Sequence, residues 1–176
     1  MDMFDVLLAK KLSGGGGKEP TLVQKLITAN GTYNASDDDA DGYDVVTVDV
    51  PASTSDVSGF ITIENNGVNN FRVNLNIPEG VTALNQGAFT NANQLLTLIL
   101  PTTLNNIAIN AFYGCGRLET ITCKAVEPPI ATTDSFFALN ANCNIYVPAE
   151  SVNDYKTANG WSSRSNYIQA IPEELR

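Results

Sequence analysis

Alternation of apolar and polar residues along the chain predicts several short β-strands. Residues 59–64 and 71–77 have the pattern of strands on either side of an Asn- and Gly-rich loop. Residues 43–50 are rich in β-branched side chains and also favour a strand. The pattern therefore predicts a mainly β protein, with a small β-hairpin module at 21–51 and a larger strand-rich region at 59–176.

An internal repeat runs through this larger region. Ile77-Pro78-Glu79-Gly80-Val81 aligns with Leu100-Pro101-Thr102-Thr103-Leu104, 23 residues later. The same offset relates further pairs: Leu84 with Ile107, Phe89 with Phe112, Leu95 with Leu118, and Leu98 with Ile121. A period of 23 with recurring Leu and Ile lies in the range of leucine-rich repeats. Each coil of such a solenoid has an apolar edge that only its neighbours can bury. We therefore expect a short stack of coils, with Phe89 and Phe112 side by side inside it.

These repeats resemble the BspA-type bacterial leucine-rich repeat. Gly87-Ala88-Phe89 and residues 111–121 carry the likeness, and the end of the chain is similar to that family's C-terminal cap through Pro128-Pro129, Phe136-Phe137 and Trp161. The resemblance covers about residues 70–171. It implies a short leucine-rich-repeat solenoid closed by a cap, and, because family members are mostly cell-surface and adhesion proteins, it implies binding and not catalysis.

The start of the chain has the pattern of a short amphipathic helix. In residues 1–12 the apolar positions recur at helical spacing, acids come first and lysines last, which suits the helix dipole. The apolar positions are Met3, Phe4, Leu7, Leu8 and Leu12. Residues 13–20 follow as a glycine-rich linker. An apolar peptide on a flexible tether is typical of an anchor; a frayed terminus is the alternative.

This front part, about residues 1–51, resembles the start of virion proteins in phages of Gram-positive bacteria, including fibre and tail-associated ones. The likeness lies in Ala9-Lys10-Lys11-Leu12 with its glycine run and in Ile27-Thr28-Ala29-Asn30-Gly31-Thr32-Tyr33. It implies that the N-terminus binds a phage capsid or tail protein. The four-residue apolar run at 6–9 is too short for a secretory signal, so we expect a protein made in the host cytoplasm and released in virions.

Composition and charge exclude several classes of function. With 10 basic and 19 acidic residues the net charge is −9, and the basic residues do not cluster, so we expect no nucleic-acid partner. The chain has no histidine, which removes the commonest general base and transition-metal ligand. Its apolar stretches are too short for a membrane span. No nucleophile–base or acid–base pair is recognisable, so we expect no enzyme.

The polar residues of the repeat strands are the candidate binding surface. They are Asn74, Thr97, Thr120 and Thr122, which alternate with apolar residues and so face away from the core. An Asn- and Thr-rich surface with little charge suits a host-surface glycan or a neutral protein surface. Simple solvation of these side chains is the alternative.

One acidic segment has the opening pattern of a calcium loop. Residues 37–42 read Asp-x-Asp-x-Asp-Gly, so Asp37, Asp39 and Asp41 are candidate ligands for Ca²⁺. Val48 stands where the bidentate Glu of such a loop belongs, and a strand follows instead of a helix. The pattern therefore favours an acidic turn over a weak calcium site, and no other cofactor is expected.

The three cysteines, Cys115, Cys123 and Cys143, have no metal-ligand spacing. Cys115 and Cys123 lie beside apolar repeat positions, which favours buried free thiols over a disulfide.

Together these patterns predict a non-enzymatic virion accessory protein that adheres through its repeat domain. A bacterial cell-surface adhesin of the BspA type is the main alternative, and an intracellular interaction scaffold is a third. A homo-oligomer is compatible with the sequence, but no heptad pattern requires one.

Overall fold

The computed structural model describes residues 33–38, 44–49 and 71–175. Its strands are β1 Tyr33–Asp38, β2 Asp44–Asp49, β3 Phe71–Asn76, β4 Ala83–Leu84, β5 Leu95–Leu100, β6 Asn106–Ile107, β7 Thr120–Cys123, β8 Asn144–Val147 and β9 Ile168–Ala170. One α-helix, α1 Val152–Thr157, and the 3-10 helices Thr133–Phe136, Ala149–Ser151, Trp161–Tyr167 and Glu173–Leu175 complete these parts of the chain.

Seven of these strands form one sheet in the order β1-β2-β3-β5-β7-β8-β9. β1 and β2 pair antiparallel, and every later neighbour pairs parallel. In β3, β5 and β7 the paired residues Leu75, Leu98 and Ile121 are 23 positions apart, so the repeat found in the sequence is the offset between strands. The predicted mainly β, leucine-rich-repeat-like fold is confirmed for this part of the chain.

Two of the described coils also have a second, shorter strand. β4 and β6 pair parallel in a separate two-stranded sheet, and Asn106 forms a parallel bridge to Ile130 in the following coil. A chain that forms a strand, turns, and forms a second strand before returning encloses its apolar side chains between the two sheets.

The core is a ladder of aliphatic side chains along the parallel sheet. The register-matched residues Leu75, Leu98, Ile121, Ile145 and Ile168 are all buried. Strands alternate their side chains between two faces, so burial of these residues directs their sequence neighbours outward. Proline follows β8 directly at Pro148 and β5 at Pro101, consistent with its inability to donate to a strand ladder.

An aromatic stack lies inside the coils. The rings of Phe89 and Phe112 are stacked with their centroids 5.6 Å apart, as predicted, and Phe136 continues the stack at 5.6 Å from Phe112. Trp161 packs on Phe136 at 4.8 Å and meets the edge of Tyr155 at 4.8 Å. The stack thus links the repeats to the C-terminal segment.

This C-terminal segment closes the open end of the solenoid. Tyr155 of α1 is buried, and its hydroxyl donates to the carbonyl of Ala125 at 2.7 Å. The indole Nε1 of Trp161 donates to the carbonyl of Pro129 at 2.8 Å. Each polar atom that these large side chains take into the core therefore has a partner, as buried polar groups require.

The N-terminal predictions fall largely outside the described residues. The backbone of β1 pairs with β2, and β2 pairs parallel with β3, so these strands continue the repeat sheet. The anchoring peptide 1–12, with Met3, Phe4, Leu7, Leu8 and Leu12, and the linker 13–20 lie outside the described part of the chain.

Candidate binding surface

The outer face of the parallel sheet carries one polar side chain per strand in a straight row. Asn74, Thr97, Thr120 and Asn144 are successive partners in the strand register, and we call them row one. All of them are half-buried. Asn74, Thr97 and Thr120 were predicted from the sequence, and the structure brings these three together.

A β-bulge sets the alignment of this row. Between β3 and β5 the register shifts after Val73, which pairs with Leu95, so that Asn74 pairs with Thr97. The extra residue on β5 is Leu96, which is half-buried. Bulges re-aim the side chains that follow them. Here the bulge brings a Thr hydroxyl opposite an Asn amide on the outer face and Leu98 opposite Leu75 on the inner face.

Hydrogen bonds within the face orient its amides. Oγ1 of Thr97 donates to Oδ1 of Asn74 at 2.7 Å, and Nε2 of Gln169 donates to Oδ1 of Asn144 at 3.2 Å. Because both Asn residues accept through Oδ1, their Nδ2 groups are directed elsewhere and remain donors. An amide and a hydroxyl in contact on an open face form a surface that can both donate and accept.

A second row lies two residues further along each strand. Asn76, Ile99, Thr122, Tyr146 and Gln169 are partners in the register, and we call them row two. Thr122, a predicted binding residue, is only 4% exposed between its neighbours and offers little surface to a ligand. Ile99 and Tyr146 are half-buried and Gln169 is exposed, so row two mixes apolar and polar surface.

Rows one and two carry no charged side chain at neutral pH. Asp49 of β2 is the register partner of Asn76, so a carboxylate follows row two at this edge of the described sheet. Contacts through the two rows themselves rely on hydrogen bonds and apolar surface.

The turns at the end of the strands are braced by side chains of successive coils. The carboxylate of Glu79 accepts hydrogen bonds from the backbone N of Thr102 at 3.1 Å and from its Oγ1 at 2.7 Å. Oγ1 of Thr103 donates to the carbonyl of Val81 at 2.8 Å and accepts from the N of Gly80 at 3.0 Å. The hydrogen bonds from Thr102 lower the pKa of the Glu79 carboxyl below its ordinary value.

The three thiols are buried and unpaired, as predicted. Burial raises the pKa of Cys115 and of Cys143 to about 12 each, and it raises the pKa of Cys123 as well. Since the thiolate is the reactive species, these cysteines are poor nucleophiles at neutral pH.

The candidate calcium turn lies mostly outside the described residues. Asp37 belongs to β1, whereas Asp39 and Asp41 are beyond it. Over residues 33–38, 44–49 and 71–175 no group of acidic or cysteine side chains is arranged to hold a metal ion. Within the same residues, no helix has the length and hydrophobicity needed to cross a bilayer.

A separate apolar feature lies outside the strands. The rings of Tyr113 and Phe137 stack with centroids 5.7 Å apart, and both side chains are exposed. Each ring follows a ring of the inner stack by one residue in sequence, Tyr113 after Phe112 and Phe137 after Phe136.

Sequence reasoning did not select several residues of rows one and two, among them Asn144 and Gln169. Asn144 follows Thr120 by 24 positions, not 23, because the last coil is longer, so a fixed period does not reach it. Gln169 belongs to the final strand, β9, which lies beyond the recognisable repeats. The strand-then-proline pattern Ile145-Tyr146-Val147-Pro148 could have located Asn144, which directly precedes it in the sequence.

Comparison with known families gives a match to a leucine-rich-repeat model. The model described as "BspA type Leucine rich repeat region (6 copies)" matches residues 61–159, which include the strands β3 to β8 and helix α1. A search of curated proteins finds no match.

Proposed function

The chain belongs to the BspA-type leucine-rich-repeat family, and from that membership we propose that it is a non-enzymatic adhesive protein that binds surface molecules through rows one and two. A leucine-rich-repeat region of this type suggests protein binding or adhesion. The single observation that carries the proposal is row one, in which Asn74, Thr97, Thr120 and Asn144 repeat a neutral hydrogen-bonding group in register across four strands.

The rigidity of the face supports a binding role. Its inner side is the buried ladder of Leu75, Leu98 and Ile121, so the outer side chains are presented on a sheet that does not need to be ordered on binding. A pre-organised surface loses less conformational entropy when it binds, which favours affinity.

We propose further that the protein is displayed on a phage particle, with residues 1–12 held by a capsid or tail protein and the linker 13–20 as tether. The support is the amphipathic pattern of Met3, Phe4, Leu7, Leu8 and Leu12, followed by the glycine run. Copies repeated on a particle, or in a homo-oligomer, would convert weak contacts into avidity.

Display on a bacterial cell surface is the second candidate, and the family match at 61–159 favours it. The adhesive face would be the same; only the attachment differs.

Density-gradient fractionation of lysate from the source strain separates the two candidates. Virion display predicts that the chain comigrates with particles and that deletion of residues 1–17 releases it. Recovery of the chain with the cell envelope, and not with particles, would contradict virion display and support the cell-surface candidate. Failure of the intact protein to bind any cell surface or mucin in either setting would contradict the adhesive function itself.

A further inference from the structure

The spacing of row one restricts the kind of ligand that can use all of it. Neighbouring strands of a sheet lie about 4.8 Å apart, so Asn74, Thr97, Thr120 and Asn144 present uncharged hydrogen-bonding groups at that step along the solenoid axis. A ligand that contacts each of them in the same way must repeat along the same direction. A linear polysaccharide, which offers hydroxyl groups on every sugar unit, has this property.

The hydrogen-bonding capacity of row one matches sugar hydroxyls. The Thr97 hydroxyl donates its proton to Oδ1 of Asn74. The Thr97 oxygen can still accept a hydrogen bond from a ligand, and Nδ2 of Asn74 can still donate one. The Thr120 hydroxyl makes no hydrogen bond within the described residues and can do both. Sugar hydroxyls, like those of Ser and Thr, are simultaneous donors and acceptors, so either direction of each contact is available.

Row two supplies apolar surface beside these groups. Ile99 and the ring of Tyr146 are half-buried, at positions two residues beyond Thr97 and Asn144 on the same strands. The face of a sugar ring carries C–H groups, and an aromatic ring is a large apolar surface with a negative face that attracts them. A chain of sugars lying over row one would rest its edge on these side chains.

Charge and composition favour a neutral polysaccharide over an anionic glycan and over a protein partner. The rows offer no positive charge to the anionic groups of sialylated or sulfated glycans, and the net charge of −9 on the protein repels such chains. Protein–protein interfaces are centred on anchors such as Trp, Tyr and Arg. Rows one and two hold only Tyr146 of these, and the exposed pair Tyr113 and Phe137 lies off the strands.

We infer that the strand face binds a neutral, linear polysaccharide that crosses the strands and places one repeating unit against each residue of row one. This inference rests on the proposed adhesive function and names its ligand class. Asn74, Thr97, Thr120 and Asn144 donate to and accept from the sugar hydroxyls, and Tyr146 and Ile99 support the ring faces.

The test is binding of the full chain to immobilised neutral linear oligosaccharides of increasing length, beside sialylated and sulfated chains. The affinity should rise with the length of the oligosaccharide and level off once the oligosaccharide spans the four strands of row one. The double variant T97V/T120V should bind at least about fivefold more weakly, since each lost hydrogen bond contributes about 0.5–1.5 kcal/mol and 1.4 kcal/mol is tenfold. T82V is the matched control, because Thr82 is exposed outside both rows, and it should bind as the unmodified protein does.

Binding that ignores length, that prefers anionic chains, or that survives in T97V/T120V would overturn the inference, as would a lack of binding to every neutral oligosaccharide. A second experiment, binding to cells treated with glycosidases, distinguishes a wrong ligand class from a wrong adhesive function. If the protein still binds deglycosylated cells and T97V/T120V does not, the strand face is adhesive but its ligand is a protein. If untreated cells bind both forms equally, the strand face is not the adhesive surface.

Discussion

The hydroxyl of Thr97 donates a hydrogen bond to Oδ1 of Asn74 across the β3–β5 pair, at 2.7 Å. The two residues are 23 positions apart, one period of the repeat, and a bulge at Leu96 brings them opposite each other. Because this bond occupies Oδ1 of the Asn74 amide, Nδ2 is the atom left to donate to a ligand. The repeat therefore determines the chemistry of the face as well as its geometry.

The Glu79–Thr102 contact predicts a specific acid sensitivity. The folded pKa of Glu79 is lowered, so its contribution to stability is present above the unfolded value of 4.5 and is lost as pH falls through the folded pKa. We expect Glu79→Gln to reduce the loss of stability between about pH 5 and pH 3, by less than about 1 kcal/mol because the carboxylate is exposed. Urea unfolding as a function of pH measures this. Equal acid slopes for Glu79→Gln and the unmodified protein would contradict the assignment.

Gly160 and Gly80 form a matched pair for backbone strain. Both have positive φ, +78° and +97°, but a Cβ on Gly160 would lie 2.7 Å from the carbonyl carbon of Ala131, whereas nothing lies within 4 Å of one on Gly80. We expect Gly160→Ala to destabilise by roughly 2–4 kcal/mol and Gly80→Ala by about 1 kcal/mol, the strain of φ alone. Chemical denaturation compares the two variants. Equal losses would show that the clash with Ala131 is not what makes Gly160 necessary.

Trp161, the only tryptophan of the chain, reports on the cap. It packs on Phe136 at the end of the aromatic stack, so we expect its fluorescence and the far-ultraviolet circular dichroism of the sheet to change in one transition. Trp161→Phe leaves the carbonyl of Pro129 without its donor and should cost roughly 2–4 kcal/mol by circular dichroism. Tyr167→Phe, in the same 3-10 helix but half-buried, should cost much less. Two separate transitions in the unmodified protein would mean that the cap folds independently.

The burial of the thiols predicts their reactivity. Cys115, Cys123 and Cys143 are all fully buried and have raised pKa values, so a thiol reagent at neutral pH should label the native protein only slowly. In concentrated denaturant all three should react at once. Rapid labelling of a thiol in the native protein would show that the coil around it opens without global unfolding.

The period of 23 explains why much of the fold was predictable. It assigns Leu75, Leu98 and Ile121 to one buried ladder, and a strand alternates its faces, so Asn74, Thr97 and Thr120 follow as outward residues. The stacking of Phe89 and Phe112 follows from the same offset.

The remainder depended on contacts that a period does not encode. Alternation places Thr122 on the outer face, but only the packing of its neighbours shows that it is 4% exposed. Phe136 and Asn144 escape the fixed offset because the last coil is longer, and each sits 24 positions after its partner, Phe112 or Thr120. The parallel pairing of β2 with β3 joins segments outside the 23-residue repeat, so the repeat does not predict that pairing.

The most direct test of the central claim is adhesion of the full chain to intact cells and mucin, compared with that of T97V/T120V and T82V. If the strand face is the adhesive surface, the double variant loses most of the binding while T82V keeps it, and both variants remain folded by circular dichroism. Equal binding by all three proteins would contradict the account, because the surface that the repeat builds would then not be the surface that adheres.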